Sequence, residues 1–457
     1  MKKVLPYLFV AGLFGLFACN NLLTQGMFMD GLIYSSVADN LAHGHDSLWH
    51  LTYTRTNDTE FYGHLPLAIW MMALWFKVFG TSMLTAKAYA LLMVVVASGL
   101  MVAVWKQLGF NGRHGWLPLL MWFLISDVVL LSCNNFLEST MLLFVLASVG
   151  FMLKGGWWHA GGGLMLALAF LSKGPTGLFP LVLPPLLWAF GWRKEGFWRM
   201  VGQTLLVAVT AVGSVALLCL AVPEAAVYLQ RYYDTQIVES LGQEDSSRFY
   251  IVGALFGRSS VVLGLAAVAV VLGLCRKSRW TIDGRHWRTA AMLFVLTLCG
   301  CLPMMLSPKQ YPHYLLADFP FMALTTAALI EPMARHLQKY LEGTAASVVA
   351  VATMAAALAL NGVHYGKPGR DKAMIEDMNV ILPQLADGET VTIPDPLVFK
   401  YNLHGYYYFY RHVSLDQHNA HRHLLTDTEL GLREWEGQYR EVPLPTTEYR
   451  LYELVAE

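Results

Sequence analysis

The chain has 457 residues, enough for several domains, but 56% of them are hydrophobic and only 14% charged. Mean hydropathy is +0.44, a balance that excludes an ordinary soluble protein. Basic and acidic residues number 32 each, so the information lies in how charge is distributed rather than in its sum. No nucleic-acid partner is expected.

Taken in order, apolar runs place membrane helices near 4–23, 84–104, 115–131, 139–153, 161–172, 176–190, 200–222, 258–274, 289–306, 314–330 and 345–363. The fold class expected is therefore mainly α: a polytopic domain of about eleven transmembrane helices. Lys2 and Lys3 ahead of the first run resemble the opening of a signal peptide, and LFAC resembles a lipoprotein cleavage site. Bulky Phe17 inside that site, and the spans that follow, favour an uncleaved anchor. The segment Pro66–Phe79 is too short to cross and carries Lys77, so it reads as an interfacial helix. The six cysteines lie in or beside apolar runs and read as small helix residues rather than a disulfide framework.

With the N-terminus inside, fifteen Lys and Arg fall on the cytoplasmic side against eight outside before the C-terminal tail, and the dense clusters RKSRW, GRHWR and WRKEGFWR all fall inside. This topology puts Asp30, Glu138, Lys173, the 223–257 loop and the Lys309–Tyr314 segment on one face, the outer one. The boundary expected is a membrane domain over 1–364, with a first outer loop over 24–83, and a small extramembrane α/β domain over 365–457. In that tail KAMIEDMNVILPQLADG suggests a helix, VTIPD a strand, PLVFKYNLHGYYYFYR a helix, and VSLD and EYRLYELV strands.

Several outer residues have the chemistry of a site. Asp30 opens GLIYSSVADNLA, a plausible amphipathic helix, with Tyr34 one turn on and on the same face. Asp39 falls about half a helical turn away in angle and reads as a solvated residue. Glu138 lies where one helix ends and the next begins; a carboxylate there must face protein or water, and a helix-start carboxylate favoured by the dipole is the plainer reading. Asn134 and Asn135 beside it offer amides for sugar hydroxyls. Lys173, in LSKGPTGL, is either a loop lysine or a cation in a tight turn suited to phosphate. Arg231, Arg248 and Arg258 bracket an outer loop and suit an anion, although acids nearby could satisfy them. Lys309, Tyr311, His313 and Tyr314 form a cationic, aromatic segment. Two histidine groups, in the first loop and in the tail, lack metal-ligand spacing, and no metal site is assigned.

These residues resemble the polytopic GT-C glycosyltransferases, which include protein O-mannosyltransferases and lipid A aminoarabinose transferases. The likeness rests on DGLIYSSVADNLAHG, FYGHLPLAIWMMALWFKVFG, the Lys-Gly-Pro turn of LSKGPTGL and PHYLLADFPFMALTTA, which appear in order over about residues 1–335. It implies inverting transfer of a sugar from a polyprenyl-phosphate donor to an acceptor hydroxyl of a lipid, glycan or protein, on the periplasmic face of a bacterial inner membrane. In that reading Asp30 is the base and Glu138 an acid orienting acceptor or sugar. Lys173 and an outer-loop Arg clamp phosphate, and Tyr34, His64, Asn134, Asn135 and Tyr311 line the sugar site. Gly31 stands where many relatives carry Glu, and His64 near a position where they often carry Lys. The alternatives are a transporter, which would want charges near mid-helix, and a non-catalytic scaffold for the tail.

Overall fold

The computed structural model describes residues 4–238, 247–275, 280–306, 310–432, 435 and 437–455. Each of the eleven apolar runs is helical, but they differ in regularity. Among the described residues, five helices are long and apolar enough to cross a membrane: Met83–Gln107, Leu137–Lys154, Phe197–Ala221, Gly284–Met305 and Thr344–His364. A sixth span is a pair, Tyr250–Arg258 and Ser260–Leu274, bent by 61°. The chain is thus a multi-pass membrane protein.

The irregular runs have local causes. The sixth begins as a 3-10 helix over Pro175–Val182 and becomes α only over Leu183–Ala189. Four prolines there (175, 180, 184, 185) remove backbone donors, so regular i→i−4 bonding cannot propagate. The third run divides into Trp116–Phe123 and Val128–Ser132 around Ser126–Asp127. The short apolar segment forms the helix Leu67–Phe79, with Pro66 at its N-cap. Leu74 and Val78, one turn apart, are exposed on one side, while Ile69, Met72 and Phe76 are buried on the other. The helix thus has one apolar side packed against the protein and another left exposed.

The helix Phe319–Leu341 buries Glu331 completely. Its carboxylate contacts His114 Nδ1 at 2.8 Å, His286 Nε2 at 3.1 Å and the Arg335 guanidinium at 2.6 Å. Three segments distant in sequence are tied at one buried carboxylate, whose donors make its burial tolerable.

The tail forms a five-stranded mixed sheet in the order β2-β1-β3-β5-β4. The strands are β1 (Thr390–Thr392), β2 (Ser414–Asp416), β3 (His423–Asp427), β4 (Tyr439–Glu441) and β5 (Tyr449–Leu454). β1 is parallel to β2 and β3, and β5 is antiparallel to β3 and β4. The expected helices are Lys372–Ile381 and Tyr401–Arg411. Strands β3 and β4 show no period in the sequence: HLLTD is buried on both faces and so does not alternate, and YRE has only three residues.

The helix Tyr401–Arg411 packs against the helix Met29–Ala42 of the first loop. The Tyr408 hydroxyl donates to Asn40 Oδ1 at 2.9 Å, the Tyr53 hydroxyl to the Tyr401 carbonyl at 2.7 Å, and His412 Nε2 lies 2.8 Å from Asp39 Oδ2. Asp39 is therefore not the solvated residue its helical position suggests. It is 1% exposed and held between His412 and His43. Helical angle tells which residues share a face, not that a second domain covers the face opposite the site.

Candidate active site

Asp30 lies in the first turn of the helix Met29–Ala42; the N-cap position belongs to Phe28. Its carboxylate is about one-fifth exposed (19%), with His313 Nε2 at 3.6 Å. The helix can approach the turn before Glu138 because residue 31 is glycine. A Cβ there would lie 2.9 Å from Met27 Sδ and 3.1 Å from the Asn135 amide nitrogen. A side chain at this position would have to displace the Met27 thioether and press on the Asn135 backbone, which gives Gly31 a packing reason.

The approach is stapled from the other side. The Phe28 amide donates to Asn134 Oδ1 at 2.7 Å, and Asn135 Nδ2 donates to Ser35 Oγ at 2.9 Å. Asn134 Nδ2 is bonded to the Leu130 carbonyl. Both asparagines are buried. Through these bonds they join the loop to the membrane helices, and Asn135 Oδ1 is left without a hydrogen-bond partner.

Glu138 (1% exposed) and Lys173 (7%) form a buried pair, Nζ to Oε1 3.0 Å. The contact is close but misaligned for a hydrogen bond, and Glu138 Oε2 has no hydrogen-bond partner. The Lys173 ammonium also faces the rings of Tyr34 at 5.6 Å and Tyr314 at 5.4 Å. Its position is set by the turn that follows. Gly174 has φ +100°, and a Cβ on it would fall 2.2 Å from the Tyr232 hydroxyl. The turn thus needs glycine both for its backbone and for the contact with Tyr232.

Tyr34 is buried, with its hydroxyl 2.8 Å from His64 Nε2. Burial first, then the carboxylates of Asp30 and Glu138, push its phenol well above the ordinary value, so it keeps its proton. Tyr34 is a buried ring that links His64 to the Lys173 cation. Burial and then the charge of Lys173 push His313 down to about 4, with Asp30 only partly opposing. His313 is therefore neutral at physiological pH, and its proximity to Asp30 is not an ion pair. Its ring stacks on Tyr311 at 5.6 Å, and Tyr311 is 41% exposed, an open aromatic face beside the acid.

The helix Pro223–Tyr232 closes this side. Tyr228 Oη contacts the carbonyls of Phe61 and His64, each at 2.9 Å, while Tyr232 meets Gly174. Arg231, between them in sequence, is exposed, paired with Glu60 at 2.6 Å and seated over the Tyr62 ring at 4.8 Å. Arg258 is paired with Asp127 at 2.8 Å, and the Arg248 carbonyl accepts a bond from Gln310. The acids holding Arg231 and Arg258 come from other loops, not from their own. Lys309 lies outside the described residues.

The structure thus gathers Asp30, Tyr34, His64, Glu138, Lys173 and Tyr311, and adds His313 and Tyr314 as close neighbours. Met27 and Phe28 are held by the tail, which sequence reading left without a role. The Tyr406 hydroxyl lies 3.1 Å from the Met27 amide, 3.2 Å from its carbonyl and 2.8 Å from Asp371 Oδ2. The Arg370 guanidinium sits 4.8 Å over the Phe28 ring. The aromatic run GYYYFYR was the available signal, but nothing in it indicates which loop it meets. Among the described residues no group of three or more His, Cys, Asp or Glu side chains is arranged to hold a metal.

The fold is that of a polytopic membrane protein of the GT-C architecture, and it brings a carboxylate and a buried acid–lysine pair to one end of its helices. Its solved likenesses are specific. ArnT from Cupriavidus metallidurans bound to undecaprenyl phosphate matches with a TM-score of 0.67 at 14% identity, over 98% of each chain. The apo form of that protein matches at 0.66 and 14%, over 97% of each. The apo oligosaccharyltransferase of Archaeoglobus fulgidus matches at 0.51 and 12%, over 90% of this chain and 64% of that one. No family model matches the sequence, and no curated protein matches it.

Proposed function

We propose that the protein is a membrane glycosyltransferase that moves a sugar from a polyprenyl-phosphate donor to an acceptor hydroxyl at the periplasmic face of the inner membrane. The observation that carries this reading is the convergence of Asp30, the Glu138–Lys173 pair, His313 and Tyr314, from four separate segments, at one end of an ArnT-like fold. The undecaprenyl phosphate in the ArnT structure makes a lipid phosphate the donor type to test first.

In the proposed reaction the acceptor oxygen attacks the anomeric carbon from the side opposite the phosphate. The new C–O bond forms as the sugar–phosphate bond breaks, the configuration inverts and the polyprenyl phosphate leaves with the bonding electrons. The acceptor proton passes to Asp30, whose basicity suffices because the attacking hydroxyl becomes acidic as its oxygen bonds carbon. The leaving phosphate needs cations fixed in place before it develops charge. Lys173 is one; of the outer-loop arginines, Arg231 is favoured, since its neighbour Tyr232 packs on the turn that carries Lys173. Glu138 holds Lys173 oriented until the donor arrives, and Tyr311 offers a sugar a stacking face.

The test is Asp30→Asn, assayed in purified membranes with a polyprenyl-phosphate sugar. Loss of transfer with unchanged expression and melting is expected; near-normal transfer removes Asp30 from the mechanism. Comparing the masses of candidate acceptors between cells with and without the gene identifies sugar and acceptor together.

A further inference from the structure

A second charged site lies in the crevice where the first membrane helix hands over to the loop. Lys87, in the second turn of the helix Met83–Gln107, is only 2% exposed. Its Nζ reaches the Asn21 carbonyl at 2.5 Å and Thr24 Oγ1 at 3.3 Å, both neutral acceptors. Among the described residues no carboxylate forms an ion pair with it; the buried Lys173, by contrast, has Glu138. A buried ammonium without a counter-charge is costly unless the charge comes from outside the chain.

The space for that charge is present. Lys87 borders a crevice of about 240 Å³ that also displays Thr24, Gln25, Ser82 and Tyr410. The Tyr410 hydroxyl is buried and has no hydrogen-bond partner. Leu23, on the crevice wall, also borders an apolar groove of about 490 Å³. This groove runs between the helices Leu5–Phe17, Met83–Gln107 and Thr344–His364, past Phe14, Leu91, Val95 and Leu358. Its size is that of a small-ligand site, commonly about 300–1,000 Å³. Val95 and Leu358 are exposed, so the groove opens toward the bilayer.

We infer that Lys87 and this crevice bind the phosphodiester of an anionic glycerophospholipid, with one acyl chain in the adjoining groove. A single cation among neutral donors matches a monoanion, whereas a phosphomonoester dianion would keep an uncompensated charge. The crevice shares no lining residue with the Asp30 cluster, and the inference stands independently of the transfer reaction. The bound lipid also touches Tyr365 and Gly366, where the last membrane helix turns into the tail.

The experiment is native mass spectrometry of the full chain taken from nanodiscs containing phosphatidylglycerol, phosphatidylcholine and a polyprenyl phosphate. The wild-type protein should retain one phosphatidylglycerol in preference to phosphatidylcholine. Lys87→Met should lower that retention about tenfold, equivalent to roughly 1.4 kcal/mol of binding. Because Lys87 also ties Asn21 and Thr24, the exposed-site double variant Val95→Trp/Leu358→Trp provides a second arm. It fills the groove and should lose the same lipid with melting unchanged. Equal retention of the two phospholipids, or unchanged retention in both variants, overturns the inference. One-for-one displacement by polyprenyl phosphate makes the groove a donor site instead, and displacement by equimolar inorganic phosphate makes it a simple anion site; either result also overturns it.

Discussion

Replacing Lys173 by methionine separates the two duties assigned to it, holding a buried charge and meeting a phosphate. At 3.0 Å from Glu138, the Coulomb attraction is about 5 kcal/mol at an effective dielectric of 20. Much of that is offset by desolvation, but removing one partner strands the other, at a cost of about 3–5 kcal/mol. Lys173→Met should therefore lower stability by about that amount. Glu138→Gln/Lys173→Met should recover most of the loss, because neither remaining side chain is charged. Transfer should be lost in both variants, since the donor phosphate has lost its cation. The readouts are detergent melting curves and turnover per folded molecule with a polyprenyl-phosphate sugar. A single variant as stable as wild type would refute the buried-pair argument. A double variant with normal turnover would remove Lys173 from the phosphate site.

Other outcomes follow from the same geometry. Tyr406→Phe removes the hydroxyl beside Met27 and Asp371; stability should fall by about 1–3 kcal/mol, and turnover should fall more than expression as the segment before Asp30 loosens. Glu331→Leu leaves His114, His286 and Arg335 around an apolar side chain, and should cost about 3–5 kcal/mol in melting while turnover per folded molecule is kept. His313 has a folded pKa of about 4 against 6.5 for the ordinary imidazole, so below 6.5 the unfolded chain binds a proton that the folded chain does not. Its contribution to stability is complete above pH 6.5 and declines as pH falls toward 4. His313→Gln should flatten that part of the stability–pH curve, and an unchanged slope would show that other groups set it. A reporter fused after Gly366 should read as periplasmic; a cytoplasmic signal would break the proposed orientation.

Local chemistry made much of this protein legible from the chain alone. Twenty-residue apolar runs must become helices in a bilayer, because no other segment-internal arrangement satisfies the backbone there. The Lys-Gly-Pro turn and the acid after the first run were readable for the same reason: each depends on residues within one turn of its neighbours. The partners depended on tertiary structure. Glu138 and Lys173 are 35 positions apart, His313 comes from far along the chain to Asp30, and Asp39 is buried by His412 of another domain. Helical periodicity records which residues share a face but carries no information on what covers it. Gly31 illustrates the division. In the sequence it is only a glycine after Asp30; in the folded protein it lets the Asp30 helix approach Asn135, because a Cβ would crowd Met27 and the Asn135 backbone.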